Sequence, residues 1–252
     1  MRACIIPDLH TKIEVADSII DKEYNEVDEI VFLGDYFDDY HDTPEQNRET
    51  GLFINEYIND DKCKFLIGNH DLQYIINHPA FECRNSFDQE KYDAINEVVS
   101  PEGWEKMLWS HVADKWLFTH SGIAWEGVFK QEDLDNSLNQ EIQSVVENDL
   151  SIAPQLGYGG SYWRRNIESD DPVYAEGDGF IYNQMYGHTV LARWDCQQFV
   201  GYRGYNIDTH MQYYAIVDTS NDYVEIKRSN YTHRYWPLEV KWLEKIDQIK
   251  NL

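Results

Sequence analysis

The sequence predicts a layered α/β fold in which strands first alternate with helices and antiparallel strands follow near the C-terminus. Short apolar runs bounded by glycine, proline or acidic residues recur along the chain, as is typical of buried strands. Between the early runs, apolar residues are spaced as on one face of a helix. The strand-like runs after residue 180 follow one another without a helical stretch between them, which favours antiparallel pairing.

The predicted strands are short and apolar. The first is ACII at 3–6, which ends at Pro7, and EIVFL at 29–33 is the second. CKFLI at 63–67 and KWLFT at 115–119 continue the series. The later predicted strands span 180–186, 203–208, 213–218 and 223–227.

Three helices are predicted beside these strands. Residues 11–22 carry apolar side chains at helical spacing, and a second helix begins after Thr43, an N-cap followed by Pro44 and the capping-box residue Gln46. The C-terminal stretch LEVKWLEKIDQIKNL predicts an amphipathic helix that packs on the body. Within a single domain of residues 1–252, the segments 84–112 and 126–160 are predicted to be helical and irregular and to form a cap over one side of the sheet.

Composition limits the classes of function. The 252 residues are 42% hydrophobic, so the chain can bury a substantial core. Its 46 acidic against 21 basic side chains argue against an extended nucleic-acid-binding surface and favour a cationic partner, a bound metal or simple solubility. No apolar run reaches the roughly 18 residues of a membrane span, so we expect no membrane partner.

The cysteines indicate the compartment. Cys4, Cys63, Cys83 and Cys196 lie far apart and form no CxxC pair. This spacing predicts reduced thiols in a cytoplasmic protein, and neither a disulfide framework nor a structural zinc site. The N-terminal stretch MRACIIPDLH becomes polar by Asp8, so we expect no signal peptide.

Polar residues of metal-binding type follow five of the predicted strands. In open α/β sheets ligands bind beyond the carboxyl ends of strands, so these side chains should converge at one edge. A single Asp after a strand is usually a turn or cap residue, but five such strand ends in one chain favour a common site. The residues concerned are Asp8, His10, Asp35, Asn69, His70, Asp71, His120 and His188.

The donor types favour a metal site. Asp8 and His10 stand at i and i+2, which places both on one side of an extended segment. Carboxylate, imidazole and amide donors without a nearby thiolate suit Mn, Fe, Zn or Ni. A carboxylate can bridge two cations, and two ions about 3.5–4 Å apart can hold the attacking and leaving oxygens of an in-line displacement.

Five motifs resemble, in order, those of the calcineurin-like metallophosphoesterases. PDLH resembles the DxH motif of that family, GDYFD its GDxxD, GNHD its GNH[DE], THSG its HxG and YGHT its closing GH. The arrangement is closest to the serine/threonine phosphoprotein-phosphatase branch with its small bacterial and phage members, because Val190 stands where other branches carry a second histidine. The resemblance implies a layered αββα sandwich with mixed sheets.

The resemblance also implies roles for individual residues. Asp8 and His10 would hold the first of two divalent metal ions, with manganese favoured, and Asp35 would bridge both ions. A hydroxide shared by the ions would attack phosphorus. His70, oriented by Asp38, would then protonate the leaving oxygen or stabilise it. The ligands of the second ion would be Asn69, His120 and His188.

Two departures from the family pattern bear on the substrate. Family members carry phosphate-binding arginines directly after GDxxD and before GNH[DE], where this chain has Asp39 and Ile67. The third family arginine precedes the GH motif, where YWRRN offers Arg164 or Arg165; an ordinary surface charge pair is the alternative. His210 stands where relatives often have glycine and receives no role.

The leading hypothesis is therefore a dinuclear metal-dependent phosphomonoesterase that acts on a phosphorylated substrate of phosphoprotein or nucleotide type. Asp39 would repel a phosphate dianion unless a cation offsets it. A nucleotide or dinucleoside-polyphosphate hydrolase, or a phosphodiesterase, is accordingly the alternative. A non-catalytic metal-binding scaffold is the third hypothesis, and the joint presence of His70 and Asp38 argues against it.

Overall fold

The computed structural model describes residues 1–39, 41–76, 87–122, 128–129, 174–175, 181–199 and 201–231. The helices within these residues are α1 (Ile13–Glu23), α2 (Pro44–Tyr57), α3 (Asn69–Ile75), α4 (Gln89–Val98) and α5 (Pro101–Glu105). The strands are β1 (Arg2–Ile6), β2 (Glu29–Phe32), β3 (Cys63–Phe65), β4 (Ser110–Ala113), β5 (Trp116–Thr119), β6 (Val128–Phe129), β7 (Tyr174–Ala175), β8 (Asn183–Tyr186), β9 (Asp195–Gln198), β10 (Arg203–Asn206), β11 (Tyr213–Asp218) and β12 (Tyr223–Arg228).

Ten of these strands form two mixed sheets. The first has the order β12-β11-β1-β2-β3, with β1, β2 and β3 parallel and β11 and β12 antiparallel. The second has the order β4-β5-β8-β10-β9, in which β5, β8 and β10 are parallel and the two edge strands antiparallel. Strands β6 and β7 pair separately in parallel.

Strand β1 is buried on both faces from Ala3 to Ile6, which explains why these four residues are all apolar. Ala3 and Ile5 belong to a core cluster that includes Trp116 and Phe118 of the second sheet. Cys4 and Ile6 belong to a second cluster, shared with the apolar sides of α1 and α2. The alternation of side chains along a strand thus places one set between the sheets and the other beneath the helices.

The predicted α/β class with two mixed sheets and helices is confirmed. The helix expected after Thr43 begins at Pro44, and the capping box is present: Gln46 N–H donates to Thr43 Oγ1 at 3.3 Å, and Thr43 N–H donates to Gln46 Oε1 at 2.9 Å. Among the described residues none of the helices has both the length and the apolar character needed to cross a bilayer. Cys4, Cys63 and Cys196 are free thiols.

Four strands were not predicted, namely β4, β6, β7 and β9. The segment 84–112, expected to be helical and irregular, contains α4 and α5 but also most of β4, and β9 was missed as well. Strand β4 gave no apolar signal because it contains His111, a polar residue that is 8% exposed and whose Nε2 lies 2.7 Å from Glu29 Oε2. Outside the described residues lie the predicted C-terminal helix and, apart from 128–129, the cap segment 126–160.

Candidate metal centre

Ligand atoms from both sheets meet at one place. Asp8 and Asp35 follow β1 and β2 of the first sheet, whereas His120 and His188 follow β5 and β8 of the second. Ligand atoms of Asp8, His10 and Asp35 lie within 4.8 Å of one another, and so do those of Asp35, His120 and His188. Because Asp35 belongs to both groups, the arrangement suits two neighbouring cations with one carboxylate between them.

Asn69 adds an amide oxygen to the second group. Its Oδ1 lies 3.0 Å from His120 Nε2, an atom that is also 3.2 Å from His188 Nδ1 and 3.4 Å from Asp35 Oδ2. Asn69 is the first residue of α3, so the start of this helix brings the amide into the site. The structure therefore brings together all the residues that the sequence nominated as ligands: Asp8, His10, Asp35, Asn69, His120 and His188.

Backbone carbonyl groups orient two of the histidines. His10 Nδ1 lies 2.6 Å from Asp38 O and 3.0 Å from Phe37 O, and His120 Nδ1 lies 2.9 Å from Leu33 O. A carbonyl oxygen only accepts hydrogen bonds, so Nδ1 of each ring donates, and Nε2 is the nitrogen left to offer a lone pair to a metal when the ring is neutral. A neutral imidazole with its other nitrogen donating in this way is the form that binds metals.

The turn that carries Asp35 depends on a close approach of two backbone segments. Gly34 has φ +101°, and a Cβ at this position would lie 2.5 Å from Gly68 N. Asp71, which received no role from the sequence, holds these two backbone segments together. Its buried carboxylate accepts the N–H groups of Asp35 and Gly68 at 2.8 Å each. Asp35 Oδ1 in turn accepts the N–H of His70 at 2.8 Å.

Four of the nominated residues have left-handed backbone conformations, namely His10 (φ 42°), Asp35 (φ 50°), Asp38 (φ 63°) and His188 (φ 66°). Each costs on the order of 1 kcal/mol for a residue with a side chain. Hydrogen bonds maintain them: His10 N–H donates to Asp35 O at 2.8 Å, and His188 N–H donates to Asp8 Oδ2 at 2.9 Å. Strain of this kind concentrates at functional sites.

His70 lies beside the two ligand groups and belongs to neither of them. Its Nδ1 is 3.1 Å from Asp38 Oδ2, and its ring meets that of His10 edge-on with 5.3 Å between the centroids. Burial opposes a charge on His70, but the carboxylates of Asp35 and Asp38 outweigh that effect and raise its pKa. An imidazole that a carboxylate keeps charged and oriented is suited to donate a proton.

The buried carboxylates at this site repel one another. Burial and the nearby Asp208 carboxylate raise the pKa of Asp8. Burial opposes a charge on His120, but Asp35 and Asp8 outweigh it and raise the pKa of His120 to about 10. Burial also disfavours ionised Asp35, but His120 and His70 outweigh it and lower the pKa of that carboxyl. Divalent cations would relieve this repulsion, so the donor set fits them.

Asp208 is an acid near the centre that sequence reasoning missed. It is fully buried; its Oδ1 accepts the N–H of His210 at 3.2 Å, and its Oδ2 has no hydrogen-bond partner in the described part of the chain. Burial, followed by repulsion from Asp35, raises its pKa to about 7. Asp208 follows β10, but the predicted strand 203–208 included it, so the rule that selected the residues after predicted strands passed over it. An orphaned carboxylate oxygen is consistent with a site built for cations.

The two departures from the family pattern have different environments. Lys12 Nζ lies 2.9 Å from Asp39 Oδ2 and 3.0 Å from His10 O, and the Lys12 side chain is only 8% exposed. The charge of Asp39 is therefore offset within the chain itself. Ile67 is buried in the core beneath the helices and offers no group to a phosphate. Outside the described residues lie Arg164 and Arg165.

Comparison with known proteins places these residues in context. A family model described as calcineurin-like phosphoesterase matches residues 1–200. A search of curated protein sequences found no match.

Several solved structures share the fold. A cold-active protein-tyrosine phosphatase of the psychrophile Shewanella sp. is 14% identical, with a TM-score of 0.59 over 89% of this chain and 80% of that one. A hypothetical protein from Pyrococcus horikoshii OT3 is 12% identical (TM-score 0.52; 100% and 94% covered). A serine/threonine phosphatase from Saccharomyces cerevisiae, similar to human phosphatase PP5, is 11% identical (TM-score 0.50; 93% and 81% covered). At these identities the likeness shows the fold alone.

Proposed function

The chain belongs to the calcineurin-like phosphoesterases, a family of metal-dependent hydrolases, and from this premise we propose that it hydrolyses a phosphomonoester at a dinuclear metal centre. The observation that carries the proposal is the pair of ligand groups that share Asp35. His70 lies beside them and is held by Asp38, at 3.1 Å, without being needed as a ligand. A serine/threonine-phosphatase-like reaction uses this combination of features.

Each residue has one task in the proposed reaction. Asp8 and His10 would hold one ion, and Asp35 would contact both. Two divalent cations, with manganese favoured and iron, zinc or nickel as alternatives, would supply positive charge and an activated water. His70, fixed through Nδ1 by Asp38, would present Nε2 to the leaving oxygen as the proton donor. The second ion would be held by Asn69, His120 and His188.

Hydrolysis of phenyl phosphate with Mn²⁺ tests the proposal. We expect His70→Asn to lower kcat by about 100-fold or more while metal content stays at the wild-type level, because a general acid contributes about 10²–10⁴-fold. Asp35→Asn should lose both activity and bound metal, measured by elemental analysis after desalting.

His111→Asn is the matched control, because His111 is also a buried histidine paired with a carboxylate but lies away from the site. Its kcat should remain within about twofold of wild type, as expected for a change remote from the reacting groups. No hydrolysis by wild type with any divalent metal would refute the proposal, and metal retention by Asp35→Asn would refute the shared-ligand arrangement.

Hydrolysis of nucleotides, dinucleoside polyphosphates or phosphodiesters is a second candidate. Asp39, paired with Lys12, and the buried Ile67 favour it, because both stand where relatives bind the phosphate with arginine. A panel of phosphopeptides, nucleotides and aryl diesters separates the two candidates. A preference for phosphopeptides by orders of magnitude in kcat/KM would exclude the second, and absence of all turnover would leave only a metal-binding scaffold.

We also propose that residues 1–252 form one domain and act in the cytoplasm. The free thiols of Cys4, Cys63 and Cys196 support the location, since free cysteines are typical of reducing compartments. Non-reducing mass spectrometry of protein isolated from cells would contradict it by finding the cysteines oxidised in pairs.

A further inference from the structure

Lys91 reaches Asp38, the carboxylate that holds the candidate proton donor His70, from a helix that none of the five motifs includes. It lies in the first turn of α4, which packs against α2. Its Nζ is 3.1 Å from Asp38 Oδ1 and 2.6 Å from Asp42 Oδ1, and only 12% of its side chain is exposed. Lys91 is therefore a buried cation between two carboxylates that are themselves 3% and 2% exposed.

The hydrogen bonds of Asp38 divide between its two oxygens. Oδ2 accepts from His70 Nδ1 at 3.1 Å and from Gln73 Nε2. Oδ1 accepts from Tyr74 Oη at 2.6 Å and from Lys91 Nζ at 3.1 Å. Lys91 thus holds the oxygen that His70 does not use, which directs the other oxygen towards the imidazole.

Without the ammonium group, the carboxylates of Asp38 and Asp42 would face each other with no cation between them. Burial opposes a charge on Lys91, but Asp42 and Asp38 outweigh it and raise its pKa, so the ammonium remains charged. A buried charge that loses its partner is strongly unfavourable, and the carboxylate then moves or takes up a proton. Either response changes how Asp38 holds His70.

We propose that Lys91 is a positioning residue for the proton donor: it fixes the Asp38 carboxylate so that His70 is aimed at the leaving oxygen. This inference rests on the proposed function, in which His70 donates that proton. A purely structural lysine that joins α4 to the loop at 38–42 would affect all substrates equally. A residue that positions the general acid affects most the substrates whose leaving group needs a proton.

Two aryl phosphates with the same phosphoryl group separate these roles. Phenyl phosphate has a basic leaving oxygen, whereas dinitrophenyl phosphate has a leaving group that departs without protonation. We expect Lys91→Met to lower kcat on phenyl phosphate by about tenfold and on dinitrophenyl phosphate by less than about twofold, a fraction of what full loss of a general acid costs. Lys91→Arg, which keeps the charge, should recover most of the loss on phenyl phosphate.

Lys227→Met is the matched control, because Lys227 is also a partly buried lysine in a carboxylate pair (Nζ–Glu23 Oε1 3.0 Å) but lies on β12. It should leave the ratio of the two kcat values unchanged. Metal content and Tm, measured for every variant, separate a loss of folding from a loss of positioning, since the ratio of the two rates does not depend on the folded fraction.

His70→Asn makes the two possible failures distinguishable. If His70→Asn shows no larger loss on phenyl phosphate than on dinitrophenyl phosphate, the proton-donor role in the proposed function is wrong. If His70→Asn shows the larger loss but Lys91→Met lowers both rates equally or neither, the proposed function stands and the inference about Lys91 is overturned.

Discussion

Asp8 lies so close to the backbone of Gly187 that a side-chain carbon at that glycine would overlap its carboxylate. The same carboxylate accepts the N–H of His188 at 2.9 Å, so the two segments fix each other. At the scale of single residues, the geometry of the candidate centre thus depends on the absence of a side chain at Gly187 as well as on the nominated ligands. The presence of glycine at position 187, in the YGHT motif, therefore has a steric explanation.

Gly187→Ala tests this steric requirement. We expect it to lower the free energy of unfolding by about 1–3 kcal/mol, the usual cost of overpacking, and to lose most Mn²⁺-dependent activity because Asp8 must move. Thermal unfolding with and without Mn²⁺, together with kcat on phenyl phosphate, measures both effects.

Gly103→Ala is the control, because a Cβ at Gly103 would meet its nearest neighbour, Val99 Cγ1, at an ordinary 3.4 Å. It should change the free energy of unfolding by less than about 1 kcal/mol, the range of helix propensity between Gly and Ala. A fully active Gly187→Ala protein with normal metal binding would contradict the steric account.

At the scale of elements, helix α2 holds the loop that follows Asp35. Asn47 of α2 accepts the N–H of Asp38 at 3.3 Å and donates to Asp42 Oδ2 at 2.5 Å. The start of α2 is in turn held by the capping box of Thr43 and Gln46. The N-terminal cap of one helix therefore supports the segment from which the centre takes Asp38.

Removal of this cap should weaken the element. Thr43→Ala is expected to lower the free energy of unfolding by about 1 kcal/mol, which corresponds to about 2–4 °C in Tm for a domain of this size. Calorimetry of the metal-loaded protein measures the shift. Thr43→Ser, which keeps the hydroxyl, should retain most of the wild-type Tm, and an equal loss in both variants would rule out the capping explanation.

At the scale of the whole molecule, a chain with net charge −25 concentrates several acids where its two sheets meet. Burial and the neighbouring Asp35 raise the pKa values of Asp71 and Asp208 to about 7 each. In the metal-free state the fold therefore keeps protons on acids that the unfolded chain, with ordinary values near 3.8, would release. Divalent cations bound nearby would favour the ionised form of these acids.

This linkage predicts how the stability of metal-free protein depends on pH. The folded state binds more protons than the unfolded state in this range, so stability falls as the pH rises through the raised pKa values. Asp71 and Asp208 together contribute about 1–2 kcal/mol of this loss between roughly pH 6.5 and 8, and the raised pKa of His120 acts in the same direction. Urea unfolding after treatment with a chelator measures it, and added Mn²⁺ should increase stability and flatten the dependence. Metal-free stability that rises over this range would contradict the prediction.

The local pattern of the sequence determined the elements with strong signals. Buried strands such as β1, β2 and β11 each contain an apolar run, and α2 begins at the capping box that the sequence contains. That the nominated residues come together was also predictable, because carboxyl ends of parallel strands meet at one edge and the motifs mark those ends. Apolar runs, capping boxes and short motifs are formed by residues close together in the sequence, so they can be recognised without the fold.

Tertiary structure decided what depends on partners distant in sequence. His111 of β4 contacts Glu29, 82 positions earlier, and Lys91 contacts Asp38, 53 positions before it. Lys12 offsets Asp39 across 27 positions. The sequence by itself determined which strand ends carry side chains of metal-binding type. Only the folded chain decided which charges are paired, because pairing and burial arise from the packing of two sheets and their helices.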